Sequence, residues 1–392
     1  MSKLASTLVL AGVALTGCGS DSPTGPAAAS VPQFAAVKFW EAGASVAWNE
    51  HASTLAASQP ASIPLDAGRL YLYLSLAQLR AAEAASATRG AHPPTTAAIG
   101  AASASILDAF FPARTAEIEA LLDAQAAAPG WPGGKHENFE AGEAIGRAAA
   151  ARVLAFAAGD LTGLTNPGTP PIGPGFWIWN GGPIARGGLG ARPLFLSSGS
   201  ELRPPPPPAY GSEAFVAALA EVRHIADTRT TEQTAIANFW NVNQSPRSEA
   251  AMMGLARELI VRYRRSDVEA ARILFLMSGA SFDAIIGCFD AKYHYWTLRP
   301  VHADAGIITV FPTPPHPSYP SAHSCISGAL SGVLAEVFPS ERARVEAMAE
   351  EASLSRLYAG IHYRFDMEAG LGLGRAAAAK AMRADLGAVA VK

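Results

Sequence analysis

Between Lys292 and Asp366 the chain carries three short motifs in succession, and any fold it adopts has to make them converge. The first runs Lys292-Tyr-His-Tyr-Trp-Thr-Leu-Arg299-Pro300. The second is Pro320-Ser321-Ala322-His323, and the third runs from Ser355-Arg356 through His362 to Asp366. Together they supply three cations, two histidines, a serine hydroxyl and a carboxylate, a set suited to a tetrahedral oxyanion. Lys292 and Arg299 are seven positions apart, a spacing that predicts one face of a single helix. Pro300 then discourages further regular helix. Arg356 brings a fork of donors that matches paired oxygens. Ser321 reads as an N-cap, because the apolar residues after it (Ile326, Ala329, Leu330, Val333, Leu334, Val337) recur with helical spacing. The backbone N–H groups of Ala322 and His323 would then face an anion at that helix N-terminus. His362 and Asp366 are four apart, so the carboxylate can hold one ring nitrogen and leave the other free.

The rest of the chain predicts an all-α fold: two packed helical bundles in one domain, with long Pro/Gly-rich loops. At 392 residues and 49% hydrophobic content there is material for a large core. Alanine and glycine are abundant and β-type alternation is sparse, which favours close-packed helices. A net charge of −3 leaves no basic footprint for nucleic acid. Helical patterns are expected over residues 34–87, with Trp40, Val46 and Trp48 in a first segment. A second covers residues 70–85 and is capped by Asp66. Further helices are expected over residues 97–111, 113–128 and 136–158, then 212–223, 230–242 and 249–263. His136, Glu140 and Glu143 are spaced as a metal site could be, but a charged first helical turn accounts for them. His51, His92 and His224 belong to no constellation.

Four stretches need separate weighing. Lys3, the apolar run 4–15 and Leu15-Thr16-Gly17-Cys18 read as a lipoprotein signal peptide over residues 1–17. Cys18 is the expected lipidation site, at the head of a flexible tether, residues 18–33. That predicts an extracytoplasmic protein held to a bacterial membrane only through its lipid, with residues 34–392 as the folded domain. Residues 161–211 are rich in proline and glycine, and the run 204–208 reads as a stiff loop wrapping the bundle rather than a partner ligand. Residues 272–289 are apolar enough to raise a membrane span, yet Asp283 sits near the middle. A buried core helix delivering Lys292 is the better reading. Cys288 and Cys325 are expected as two independently buried thiols near the site, although pairing is open to them in an oxidising compartment.

The order and spacing of the three motifs resemble the signature shared by vanadium-dependent haloperoxidases and type 2 phosphatidic acid phosphatases. That signature is lysine, six residues, Arg-Pro; then Pro-Ser-Gly-His; then Ser-Arg, five residues, His, three residues, Asp. Every fixed position matches except Ala322, which stands where glycine is usual. The likeness is strong over residues 230–390. Before that it is looser, carried by Trp48-Asn49 and Asn238-Phe-Trp240 in the manner of the secreted bacterial haloperoxidase-like branch. The resemblance also implies the all-α fold. For a haloperoxidase it implies that His362 is the single protein ligand of vanadate, oriented by Asp366. Lys292, Arg299, Ser321, Ala322 and Arg356 would bind the oxygens, with His323 as acid/base and Lys292 polarising the peroxide. His316, seven residues before His323, matches the bromoperoxidase pattern, where chloroperoxidases have phenylalanine; this predicts bromide or iodide as substrate. For a phosphatase the same site takes phosphate, His362 becomes the nucleophile and His323 protonates the leaving alcohol. The implied partners are hydrogen peroxide and halide, or a phosphomonoester, with the oligomeric state left open. A non-catalytic oxyanion-binding lipoprotein is the third reading.

Overall fold

The computed structural model describes residues 43–58, 64–88, 93–127, 139–160, 165–179, 181–241 and 247–387. The signal peptide, the tether with Cys18, Trp40, His92 and His136 lie outside the described residues. Five helices form the N-terminal half: α1 (Ala44–Ala57), α2 (Pro64–Ala87), α3 (Thr95–Phe110), α4 (Thr115–Ala126) and α5 (Phe139–Ala157). After the irregular stretch come α6 (Glu213–Thr228), α7 (Thr231–Phe239) and α8 (Arg247–Arg262). The C-terminal half contains α9 (Asp267–Tyr295), α10 (Pro300–Ala303), α11 (Ala322–Val337), α12 (Arg342–Tyr358) and α13 (Arg364–Arg383). Among the described residues there is no strand, only an isolated bridge between Phe176 and Thr297.

Two bundles are evident in the packing. In the first, α2, α3 and α5 pack on one another; in the second, α11 lies against α9, α12 and α13. The pairing of α2 with α9 joins them, and one hydrophobic core runs through both. Helix α2 begins at Pro64, so Asp66 lies within its first turn. The α11–α13 crossing is close because it is glycine-faced. A Cβ on Gly374 would lie 2.2 Å from the Cys325 carbonyl oxygen, and one on Gly370 2.7 Å from that of Ser321. Larger residues would force these helices apart. At this crossing the Ser321 N–H donates to the Asp366 carbonyl at 2.9 Å, so the second and third motifs are fixed to each other through backbone.

Helix α9 organises the molecule. Ser266 and Glu269 form its capping box. It is long and apolar enough to cross a membrane, yet 94% of the qualifying window is buried inside the protein, as a core helix requires. Its one mid-helix charge has a specific use. The Asp283 carboxylate accepts the backbone N–H groups of Leu194, Phe195 and Leu196 at 2.7, 2.7 and 3.0 Å. Burial still pushes its pKa up to about 7, against those three donors.

The irregular stretch is fastened along this helix and beyond its end. Arg203 pairs with Asp290 at 2.8 Å, and the hydroxyls of Tyr295 and Tyr319 donate to the carbonyls of Pro204 and Pro205 at 2.8 and 2.6 Å. Proline carbonyls in a run have no local N–H to bond, so they are free to accept such donors. Past the helix end, Trp177 donates to Trp296 at 2.6 Å and Leu298 to Gly175 at 2.9 Å. This loop therefore clamps the segment that leads from Lys292 to Arg299.

Candidate active site

The three motifs meet in the second bundle at the ends of α9, α11, α12 and α13. Lys292 is in the last turn of α9, but Arg299 is not on the same helix. Trp296 adopts a left-handed conformation (φ 52°) that ends α9, residues 297–298 run extended against the clamp loop, and Arg299 is the N-cap of α10. Pro300 occupies that helix's first position, where its missing N–H costs nothing. Lys292 and Arg299 converge through this reversal rather than through helical periodicity.

Both cations are fully buried, and Arg356 is nearly so. Lys292 Nζ donates to the carbonyls of Pro317 and Ser318 at 2.8 and 2.9 Å, leaving one N–H without an acceptor among the described residues. Arg299 donates through Nε to the His316 carbonyl (3.1 Å) and through Nη1 to the Ile361 carbonyl (2.7 Å) and His362 Nε2 (3.0 Å). Its Nη2 lies 3.0 Å from His316 Nδ1. Arg356 stands over the Phe311 ring, bonded to Ser355 Oγ and the Ala237 carbonyl, with three N–H groups uncommitted among the described residues. Among the described residues, the only buried carboxylate beside them is Asp366. Three buried cations against one carboxylate is an arrangement that water-poor protein does not stabilise unaided.

His362 precedes α13, and the turn rather than the helix brings Asp366 to it. Asp366 is the N3 residue of α13, and its Oδ2 accepts the Tyr363 N–H (3.1 Å), the Ser318 hydroxyl (2.5 Å) and His362 Nδ1 (2.7 Å). Arg299 can only donate, so His362 Nε2 holds a lone pair and Nδ1 holds the proton. Burial, then the Arg299 and Lys292 charges, drive the His362 pKa well below its ordinary value. Burial raises Asp366 to about 6. Near pH 7 the pair is therefore a neutral imidazole donating to a carboxylate, and Nε2 is unprotonated.

His323 is fixed from the other side. Its Nε2 donates to the Trp240 carbonyl at 2.8 Å, leaving the Nδ1 lone pair. Trp240 is held in turn by Glu351 of α12 at 2.9 Å. Burial, then Arg356, lowers the His323 pKa well below the usual range. The C-terminal end of α7 thus supplies two carbonyls to the site, that of Ala237 to Arg356 and that of Trp240 to His323. Ser321 caps α11, accepting from Ser324 N at 3.4 Å, and Ala322 is half-buried against the main core. His316 is buried edge-on to Phe289 (5.2 Å), with Nδ1 between Arg299 Nη2 and the Pro317 carbonyl (3.1 Å). Its pKa is also well lowered, by burial first, so only one of those two contacts is a hydrogen bond in either tautomer.

Several of these partners leave no mark in sequence. Backbone carbonyls of Ala237, Trp240, Pro317 and Ser318 orient three of the site residues. Ser318 is the one missed side chain with a signal, as a hydroxyl in the proline-rich loop just ahead of Ser321. Cys288 and Cys325 are both buried and free, as expected. Glu143 pairs with Arg147 at 2.8 Å rather than joining a metal cluster. No three His, Cys, Asp or Glu side chains converge as metal ligands among the described residues.

The PAP2 superfamily profile matches residues 271–387, which hold all three motifs. Among solved structures, the chain is similar to a bacterial vanadium-dependent iodoperoxidase at 26% identity and TM-score 0.71, over 88% of this chain and 95% of that one. Two structures of bacterial vanadium-dependent chloroperoxidase, apo-type and holo-type, share the fold with TM-scores of 0.64 and 0.63. They are 14% and 15% identical, over 83% and 85% of this chain and 94% of each of theirs. No curated protein matches.

The buried charges make a pH-dependent prediction. Burial lowers Lys292 from the ordinary 10.5 to about 8. Between those two values the unfolded chain binds the extra proton, so the oxyanion-free protein gains stability as pH rises from about 8 to 10.5, by on the order of 3 kcal/mol. A bound oxyanion favours the protonated lysine and reverses the effect. Phosphate should therefore raise the melting temperature strongly at pH 7 and progressively less above pH 8. A phosphate-induced shift that is the same at pH 7 and pH 10 would contradict the assignment of Lys292 to the anion.

Proposed function

We propose that this site holds vanadate and oxidises bromide or iodide with hydrogen peroxide. One observation carries the reading: three buried cations, opposed by a single carboxylate, surround a histidine whose Nε2 lone pair is fixed by Asp366. That donor set fits a tetrahedral oxyanion anchored at one nitrogen. His362 Nε2 would hold the vanadium, and the free N–H groups of Arg356, Arg299 and Lys292, with the Ser321 hydroxyl and the Ala322 N–H, would hold its oxygens. When bound, vanadate supplies a Lewis-acid centre that activates peroxide for two-electron oxidation of halide. For His362 to bind, Arg299 Nη1 has to give up Nε2. It keeps its bond to the Ile361 carbonyl and so stays in place. His323, with Nδ1 unprotonated, takes a proton from incoming peroxide and returns it to the departing oxygen. His316, held by Arg299 beside Phe289, sits where a second imidazole can share that proton. It supports bromide or iodide over chloride, as does the likeness to an iodoperoxidase structure.

The phosphatase reading keeps one specific support, because an unprotonated His362 Nε2 among cations is also a nucleophile placed for a phosphomonoester. Both readings require Arg356 to grip the oxyanion. Arg356→Ala should weaken vanadate and phosphate affinity by about 1.5–3 kcal/mol, read by titration calorimetry. Unchanged affinities would remove Arg356 from the site.

We also propose that the mature protein begins at a lipidated Cys18 and faces an extracytoplasmic space, on the strength of the lipobox. Cys18→Ser should release the protein from membranes or stall its processing. A wild-type protein that fractionates free of membranes with an unmodified N-terminus would refute this.

A further inference from the structure

The proposed chemistry makes no use of Cys288 and Cys325, yet they lie directly behind the oxyanion residues. Cys288 is on α9, four residues before Lys292 and so on the same face of the helix. Cys325 is in the first turn of α11, its N–H bonded to the Ser321 carbonyl at 3.0 Å. Both side chains are fully buried. Cys288 Sγ donates to the Pro320 carbonyl at 3.7 Å, next to Ser321, which sets it against the start of the helix that carries Cys325. Two buried thiols on helices that pack against each other are placed to bond across that contact. The structure assigns Cys288 and Cys325 as a peroxide-oxidisable dithiol that closes into a disulfide between the helices carrying Lys292 and Ser321.

The charges decide which sulfur reacts. Burial works against a thiolate at Cys288, but the Cys325 thiol and the nearby Lys292 and Arg299 outweigh it and leave Cys288 below an ordinary thiol. Burial, followed by the effect of Cys288, puts Cys325 well above one. Cys288 is therefore the attacking sulfur. Its thiolate displaces water from hydrogen peroxide, breaking the O–O bond and giving a sulfenic acid. Cys325 then attacks that sulfur, and its proton leaves with the hydroxyl as a second water. Each sulfur loses one electron, and one peroxide becomes two waters. This rests on the haloperoxidase reading only for the supply of peroxide at the neighbouring site.

The test uses the full chain without vanadate or halide, so it reads thiol chemistry alone. Reduced protein is exposed to a slight excess of hydrogen peroxide, alkylated under denaturing conditions and digested without reductant. Peptides joined through Cys288 and Cys325 are expected in most of the chains and should disappear with dithiothreitol. Cys325→Ala should instead accumulate Cys288 sulfenic acid, trapped by dimedone. Full alkylation of both cysteines after peroxide, or oxidation to sulfinic acid with no linked peptide, would overturn the assignment. Failure of halide oxidation would leave this result untouched, so the two readings fail separately.

Discussion

His362→Ala should lose at least about a thousand-fold in turnover, whichever oxyanion chemistry the site performs, while the helical fold persists. The geometry separates the two effects. Nε2 is the only histidine nitrogen in the site whose lone pair is fixed by a carboxylate behind the ring. No neighbour can replace it: His323 Nε2 is committed to the Trp240 carbonyl, and His316 Nδ1 faces Arg299. Removing the ring leaves Asp366 with Ser318 and the Tyr363 N–H, and leaves Arg299 with two backbone carbonyls and His316. The stability cost should stay near the 1–2 kcal/mol of a lost buried hydrogen bond. Near-normal turnover in this variant, with unchanged circular dichroism, would take His362 out of the chemistry.

Asp366→Ala should act on the fold itself. It removes the one buried negative charge beside three buried cations and orphans the Ser318 hydroxyl, the Tyr363 N–H and His362 Nδ1 at once. Deleting one member of such an arrangement typically costs 3–5 kcal/mol, so the urea midpoint should fall accordingly. Phosphate should recover much of the loss by supplying negative charge to the same cations. A loss below about 1 kcal/mol, or no rescue by phosphate, would mean that the cations are screened by something other than Asp366.

What the sequence reveals about this site is its side chains, because chemistry restricts which residues can stand there. Lys292, Arg299, Arg356, His323, His362 and Asp366 are all brought together in the second bundle. The helical predictions hold where periodicity is long, as in α9, where the only interruption, Asp283, is explained by three loop N–H groups. Those donors are 87 to 89 residues away in sequence, beyond any local pattern. The same long range defeats the prediction that Lys292 and Arg299 share a helix. Trp296 leaves α9 because residues 175–177 pair with residues 296–298, a contact that spacing cannot reveal. Asp66 lies inside α2 because Pro64, suited to a first helical turn, starts the helix earlier. The carbonyls that orient Lys292, Arg356 and His323 are invisible in sequence, since every residue has one.

The proposed vanadate-dependent oxidation of halide by hydrogen peroxide is tested most directly by one measurement. The purified chain, lacking residues 1–18 and stripped of oxyanions, is titrated with vanadate in the presence of hydrogen peroxide and bromide, iodide or chloride. A parallel vanadate-free sample receives a phosphomonoester. Vanadate-dependent turnover of iodide and bromide is expected, with chloride slowest and slow phosphomonoester cleavage only when vanadate is absent. His316→Ala should narrow the gap between the halides. No halide turnover in the vanadate-loaded protein, together with rapid phosphomonoester cleavage without vanadate, would contradict the account and make this enzyme a phosphatase.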